Sequence, residues 1–137
     1  MSVTLRASAV LVEGEAEGEI LVIDPPLSFW GGIDPQNGTL SDPRHPQFGQ
    51  SLTGRIVVMA RGIGSSSGSS ILLELLSIGE GPLGILMGEP DAILSLGAVV
   101  AREMGYGTIP VWKIDSADIP NLPARAQLYL DGTLEAR

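Results

Sequence analysis

The sequence predicts an α/β fold, in which crossover helices cover a partly parallel sheet and an N-terminal β layer is added to it. Two observations predict this class. The second half of the chain alternates short apolar runs with segments of helical periodicity, and the beginning of the chain holds two short β-prone runs. Strands that are joined by crossover helices lie parallel. The length of 137 residues suits one domain, so we expect a single unit over residues 1–137.

The strands of the predicted sheet are short apolar runs bounded by Gly, Pro or polar residues. In the second half of the chain they are expected at residues 55–59, 83–87, 109–112 and 126–131, and the last of them ends at a Gly132-Thr133 turn.

Two helices are predicted between these strands. The first covers residues 69–78, where apolar residues recur at helical spacing, and Gly79 follows as its C′ residue. The second covers residues 92–104, with Asp91 as the N-cap and Gly105 after its last turn.

The N-terminal β layer is predicted from two β-prone runs, residues 5–12 and 19–23. We expect them to form an antiparallel pair around a charged turn at residues 14–18. The alternate glutamates of this region are expected to be solvated and receive no chemical role: Glu13, Glu15, Glu17 and Glu19.

Residues 24–50, here called the long loop, are rich in proline and glycine. A loop of this length in a compact domain is often functional, although a surface excursion pinned by its aromatic pair is the alternative. Asp34 is expected to form an Asx turn before Pro35, and His45 is expected at the surface. For Trp30 the sequence leaves open a place in a pocket or interface and plain core packing.

Composition excludes several classes of function. The formal net charge is −8 and only 4% of the residues are aromatic, so nucleic acid is not an expected partner. The chain has no cysteine and one histidine, so we expect it to bind neither an iron–sulfur cluster nor a metal ion. No signal peptide is visible and no apolar run is long enough to span a bilayer, so a cytoplasmic location without membrane contact is expected.

Chemistry is concentrated at residues 61–70, here called the serine loop, which follow an apolar strand and precede a helix. Ligands commonly bind at this place in an open α/β sheet, and the helix start favours an anion. We expect Gly64, Ser66, Ser67 and Arg61 to bind a small carboxylate substrate or a phosphate group, because they offer close backbone approach, hydroxyl groups and a positive charge. For Arg61 a solvated side chain is the alternative.

Other interpretations of the serine loop are weighed against that one. An ordinary serine-capped turn would also fit. The pattern is neither a Walker A loop nor a dinucleotide fingerprint. A hydrolase elbow at residues 64–68 would need His45 as its base, and His45 lies upstream in the long loop.

The motifs together resemble the swivel domain of the aconitase X family. The first is Pro-Leu-Ser-Phe-Trp-Gly-Gly-Ile-Asp-Pro at residues 26–35, and the second is Gly-Ile-Gly-Ser-Ser-Ser-Gly-Ser at residues 62–69. Shorter matching segments lie at residues 45–46, 54–56, 91–94, 97–98 and 109–111. One departure is Ile63, which stands where many members have a basic residue.

This resemblance implies an aconitase-like swivelling β/β/α domain and dehydratase chemistry. Members of the family are made as one chain or as separate large and small subunits, and this chain resembles a separate small subunit. The resemblance implies that the first serine of the Gly-Ser-Ser motif, Ser65, is the catalytic base. It also implies that an iron–sulfur cluster or metal ion belongs to the large subunit, which would be this chain's partner.

Two substrates are represented in the family. We expect dehydration of cis-3-hydroxy-L-proline to 1-pyrroline-2-carboxylate, and the alternative is the archaeal-type dehydration of (R)-5-phosphomevalonate. From a different class, a non-catalytic anion-binding or interaction module on the same scaffold remains open. A phosphohistidine carrier is disfavoured, because His45 lies in no Gly-rich or Thr-rich histidine loop.

Overall fold

A computed structural model describes residues 4–63 and 67–137 and shows three layers, two of strands and one of helices. The strands are β1 Thr4–Arg6, β2 Ala9–Val12, β3 Ala16–Val22, β4 Ile56–Arg61, β5 Gly84–Glu89, β6 Val111–Lys113, β7 Arg125–Leu128 and β8 Thr133–Ala136. The helices are α1 Phe29–Gly32, α2 Gly68–Ser77, α3 Ala92–Glu103 and a short 3-10 helix at Ser116–Asn121.

The strands form one hydrogen-bonded order, β1-β8-β7-β3-β4-β5-β6-β2. The pairs β3–β4, β4–β5 and β5–β6 are parallel, and the other pairs are antiparallel. The partly parallel sheet with crossover helices is therefore confirmed.

The first and last strands of this order are neighbours in sequence, because only Ala7 and Ser8 separate β1 from β2. The Ala7 N–H donates to the Gly132 carbonyl and the Ser8 N–H to the Lys113 carbonyl, each over 2.8 Å. The sheet therefore folds back on itself and closes through this bend, which makes two β layers from one strand order.

Alternation along the parallel strands creates two cores. On β4, Val57 and Met59 belong to a cluster with α2 and α3, while Ile56 and Val58 belong to a cluster with β7 and β8. Each central strand is thus buried on both faces, as its uninterrupted apolar sequence predicts.

Both predicted helices are present, and their bounds lie within one residue of the predicted ones. The Asp91 carboxylate accepts the Ile93 N–H at 2.8 Å and caps α3, as expected of an N-cap aspartate. Gly79 and Gly105 follow α2 and α3 with φ of 76° and 78°, which are left-handed values that favour glycine at a C′ position.

The predicted antiparallel pair of the first two β-prone runs is wrong. The front of β3 pairs with β7 and its end pairs with β4, while β1 and β2 pair with β8 and β6. Residues 14–18 form no hairpin turn, because β3 already begins at Ala16. The glutamates at the alternate positions 13, 15, 17 and 19 are exposed to solvent. Glu19 lies 3.6 Å from Arg55 and 3.9 Å from Arg125 in exposed ion pairs.

The second β layer is also built from other strands than expected. It combines β1 and the front of β3 with two strands from the end of the chain, β7 and β8. β8 is not predicted from the sequence, because only Leu134 of Thr-Leu-Glu-Ala at residues 133–136 is buried.

Candidate functional site

The serine loop begins where β4, the central parallel strand, ends. Arg61 is the last residue of β4 and pairs in register with Glu89 of β5. Its side chain is exposed, and within residues 4–63 and 67–137 it forms no ion pair. The predicted residues Gly64, Ser65 and Ser66 lie outside the described residues.

The chain leaves β4 in tight contact with the start of α3. The Gly62 N–H donates to the Glu89 carbonyl at 3.2 Å. A Cβ added at Gly62 would lie 2.3 Å from the Asp91 Cβ, a separation that real atoms do not reach. Only glycine therefore allows the serine loop to begin against Asp91.

The other end of the serine loop enters α2, whose N-cap is Ser67. Gly68 is buried between Phe29 of the long loop and Leu94 of α3. A Cβ at Gly97 would lie 2.9 Å from the Ser69 carbonyl oxygen, so α3 crosses the first turn of α2 in direct backbone contact. Both ends of the serine loop are thus fixed by packed elements.

The long loop borders the serine loop across an open cleft of about 460 Å³, here called the first cleft. Its lining from the long loop includes Leu27, Trp30, Asp42 and Arg44, and Ile63 belongs to its lining from the serine loop. The structure thus brings together the two segments in which the sequence concentrated its candidate residues.

His45 is not at the surface as the sequence suggested, because only 8% of it is exposed. Its Nε2 lies 2.6 Å from the Pro25 carbonyl oxygen, and its Nδ1 accepts the Gln47 N–H at 3.0 Å. An Nδ1 that accepts places the proton on Nε2, which donates to Pro25. Both ring nitrogens are used to hold the long loop together, so a base role for His45 has no geometric support.

The Gln47 side chain completes this closure of the long loop. Its Nε2 donates to the Val22 carbonyl at 2.8 Å, and its Oε1 accepts the Asp24 N–H at 3.0 Å. Gln47 is not predictable from the sequence as a residue of this closure, because a single polar residue in a Pro-rich segment carries no local signal of such a role.

The structure confirms the prediction for Asp34 and decides between the two alternatives for Trp30. The Asp34 carboxylate accepts the Gln36 N–H at 2.8 Å, which is the predicted Asx turn. Trp30 is 58% exposed, so core packing is wrong for it, and that position is filled by Phe29 at 2%. Trp30 stands between the first cleft and a second cleft of about 620 Å³ that includes Asp34 and Ile71.

A model of the aconitase X swivel domain matches residues 5–134 of this chain. The chain belongs to the aconitase X swivel domain family. Two solved structures agree with this assignment. The aconitase X of Thermococcus kodakaraensis in its holo form matches with a TM-score of 0.83 and 33% identity over 97% of both chains. A solution structure of a UPF0107 protein matches with a TM-score of 0.84 and 30% identity, over 98% of this chain and 99% of the other.

Curated relatives of this swivel domain fall under two names. It is 48% identical over 101 residues to a cis-3-hydroxy-L-proline dehydratase of Pseudomonas aeruginosa, covering 74% of this chain and 17% of the relative. It is 38% identical over 122 residues to a phosphomevalonate dehydratase small subunit of Pyrococcus furiosus, covering 89% and 85%. The matched segment thus spans less than a fifth of the first relative and most of the second.

In the part of the chain that the structure describes, no group of three or more His, Cys, Asp or Glu side chains could hold a metal ion. Within the same residues, no helix has the length and apolar character needed to cross a membrane.

Proposed function

We propose that this swivel domain acts as the small subunit of an aconitase X-type dehydratase and lends its serine loop to a site that a larger subunit completes. The observation that carries the proposal is that the described residues provide only part of a catalytic site. The exposed Arg61 and the first cleft meet at the serine loop, while the one histidine of the chain is committed to structure. Relatives named phosphomevalonate dehydratase small subunit match over most of their length.

Dehydration breaks a C–H bond and the C–O bond of a neighbouring hydroxyl group, and a carbon–carbon double bond forms as water leaves. We assign the proton removal to Ser65, on the family resemblance. A serine is a weak base at its ordinary pKa and needs activation. The amino end of α2 lies two residues further on and favours negative charge, so it can stabilise the alkoxide form.

Arg61 and the neighbours of Ser65 are assigned to substrate binding. Arg61 extends into solvent at the carboxyl end of β4, where a carboxylate of the substrate can pair with it. Gly64, Ser66 and Ser67 provide backbone and hydroxyl contacts to the same group in this proposal.

We place the metal ion or iron–sulfur cluster in the larger subunit, where it would polarise the leaving hydroxyl group. This chain has no cysteine to hold a cluster. Metal and sulfide analysis of the two separated subunits tests this division, and stoichiometric metal in the small subunit alone would contradict it.

For the substrate we favour cis-3-hydroxy-L-proline, since 48% identity to a dehydratase of this name exceeds the 38% to the Pyrococcus furiosus small subunit. The product would be 1-pyrroline-2-carboxylate. The alternative, (R)-5-phosphomevalonate, is favoured by a different observation, because the matched segment covers 85% of that separate small subunit.

Co-expression of the chain with a larger aconitase X subunit, followed by assays with both substrates, tests the proposal. Ser65→Ala is expected to leave the complex assembled and to lower turnover by about 10³-fold, the middle of the range of roughly 10²- to 10⁴-fold for one acid–base group. Ser77→Ala is the matched control, because its hydroxyl group only donates to the Glu74 carbonyl at the far end of α2.

Each outcome of this assay decides a separate part of the proposal. Normal turnover by Ser65→Ala would remove Ser65 as the base. Turnover of phosphomevalonate but not of hydroxyproline would correct the substrate and keep the dehydratase. An assembled, metal-loaded complex that dehydrates neither substrate would favour the non-catalytic binding module instead.

A further inference from the structure

The first cleft is lined by one side chain whose polar group has no partner, that of Ser28. Among the described residues, four polar side chains line this cleft: Ser28, Asp42, Arg44 and His45. Asp42 and Arg44 bind each other over 3.2 Å, and His45 uses both ring nitrogens within the long loop. The Ser28 hydroxyl oxygen is buried, and within residues 4–63 and 67–137 it forms no hydrogen bond.

Ser28 does not have the structural role that a serine usually has at such a position. It is the residue before α1, with an extended backbone at φ −81° and ψ 138°. An N-cap serine normally accepts a backbone N–H of the first turn, but the Ser28 side chain forms no such bond. A buried hydroxyl group without a partner destabilises a fold, because its lost hydration is not replaced. Such a group is therefore a candidate for contact with a ligand.

The neighbours of Ser28 hold it in the wall of the cleft. Leu27 and Phe29 are buried in the helix-side core, and Phe29 packs beside Gly68 at the start of α2. Ser28 itself is partly exposed and lines the cleft together with Ile63 of the serine loop. Rotation about the Cα–Cβ bond moves a serine oxygen between staggered positions. The hydroxyl group can thus meet a ligand in the cleft without movement of the backbone.

We propose that Ser28 is a substrate-binding residue of the first cleft, where its hydroxyl group donates a hydrogen bond to an oxygen atom of the bound hydroxy acid. This rests on the proposed function, because the first cleft borders the loop to which we assign the base. An unpaired O–H needs an acceptor, and a carboxylate oxygen is a stronger acceptor than a hydroxyl oxygen because it is charged. Ser28 breaks no bond of the substrate, so its loss affects binding rather than the chemical step.

Ser28→Ala in the assembled complex tests this role with the substrate that the wild type dehydrates. KM should rise about tenfold to a hundredfold, as expected for the loss of a hydrogen bond to a charged group. The value of kcat should stay within about twofold, because the lost bond contributes equally to the ground state and the transition state. The melting temperature should be unchanged or higher, since the variant removes a buried hydroxyl group that has no partner.

Ser41→Ala is the matched control. Ser41 is another serine of the long loop, but its hydroxyl group already donates to the Gly31 carbonyl at 3.4 Å, and it lines the second cleft. Its KM should equal that of the wild type.

Titration calorimetry of the assembled complex with cis-3-hydroxy-L-proline and with L-proline gives a readout that does not depend on turnover, when Ser65→Ala is present in every complex. L-proline keeps the carboxylate and lacks the 3-hydroxyl group. If Ser28→Ala weakens the binding of both ligands equally, the acceptor is the carboxylate. If it weakens only the binding of the hydroxylated ligand, the acceptor is the hydroxyl group.

Unchanged KM and unchanged dissociation constants in Ser28→Ala would overturn the proposal and leave Ser28 as a packing residue. A lower melting temperature would also overturn it, because weaker binding would then follow from a damaged long loop. Weaker assembly at unchanged KM would assign the hydroxyl group to the larger subunit instead. In each of these cases a wild-type complex that dehydrates its substrate keeps the proposed function. If the wild-type complex neither binds nor dehydrates either hydroxy acid, the proposed function fails, and the role of Ser28 fails with it.

Discussion

The long loop and the serine loop border the same cleft, and they are held in place by different means. The long loop is anchored by its own residues. Its apolar side chains enter the helix-side core, and His45 and Gln47 spend their polar atoms on its backbone. Among the described residues of the serine loop, Gly62 packs against Asp91 and Gly68 packs between Phe29 and Leu94.

This difference indicates which segment carries the chemistry. Polar groups that already bond to the backbone are unavailable to a substrate without loss of structure. In the long loop this applies to His45, which by its chemistry would be the first candidate for a base. The serine loop instead presents the exposed Arg61 at the carboxyl end of β4. We therefore assign the long loop the role of a scaffold and the serine loop that of the reacting element.

His45→Ala is expected to have the largest effect among the variants that test how the long loop is anchored. The substitution leaves the Pro25 carbonyl oxygen and the Gln47 N–H without partners in a buried place, which should lower the free energy of unfolding by roughly 2–3 kcal/mol. Urea denaturation of the chain measures this loss. Arg44→Ala is the control, because the neighbouring Arg44 side chain is 91% exposed. A His45 variant of normal stability without turnover would instead make His45 catalytic.

Trp30→Ala tests whether the long loop also contacts the larger subunit. An exposed tryptophan that lines the first cleft together with Ile63 of the serine loop has the character of an interface anchor. Phe29, which is buried next to it, fixes its position. We expect the dissociation constant for the larger subunit to rise about tenfold to a hundredfold, with the stability of the chain nearly unchanged, as measured by titration calorimetry. Phe48→Ala is the control, since Phe48 is 56% exposed but lines neither cleft. Equal binding by both variants would show that the partner docks elsewhere.

Gly97→Ala tests whether the end of the serine loop is fixed by close helix packing. Alanine favours a helix over glycine by about 1 kcal/mol, so an unconstrained site would be stabilised. Here the new methyl group would meet the Ser69 backbone, and we expect a net loss of about 1–2 kcal/mol in thermal denaturation. Leu96→Ala, at an exposed position of the same helix, should be nearly neutral. A stabilised Gly97→Ala protein would contradict the contact between α2 and α3.

Local chemistry made the helices and the central strands predictable. The N-cap at Asp91 and the glycines after both helices act within a few residues, and uninterrupted apolar runs mark strands buried on both faces. Pairing partners were not predictable in this way. The front of β3 pairs with β7, more than a hundred residues away, and no local signal distinguishes this from a hairpin.

The same limit applies to the site. The sequence predicts the serine loop as a ligand-binding place, with an ordinary serine-capped turn as the alternative, and this stays a prediction. The burial of His45 depends on a carbonyl group twenty residues away, and the contact of Gly62 with Asp91 depends on two adjacent strand ends. Contacts of this kind arise only when the sheet is assembled.

The smallest expected effect concerns Asp42, which lines the first cleft from the long loop. Hydrogen bonds from the Arg44 backbone and side chain hold the pKa of this carboxyl group below its ordinary value. A lowered pKa in the folded state means that the contribution of Asp42 to stability is complete above about pH 4 and is lost as the pH falls through the folded pKa. The stability difference between wild type and Asp42→Asn should therefore shrink on acidification, as urea denaturation at a series of pH values can show. The same series on Asp131→Asn is the comparison, because hydrogen bonds from Thr133 lower the pKa of that carboxyl group too. If acidification also shifted KM for the substrate in wild type but not in Asp42→Asn, Asp42 would take part in binding, and its assignment to the scaffold would have to be abandoned.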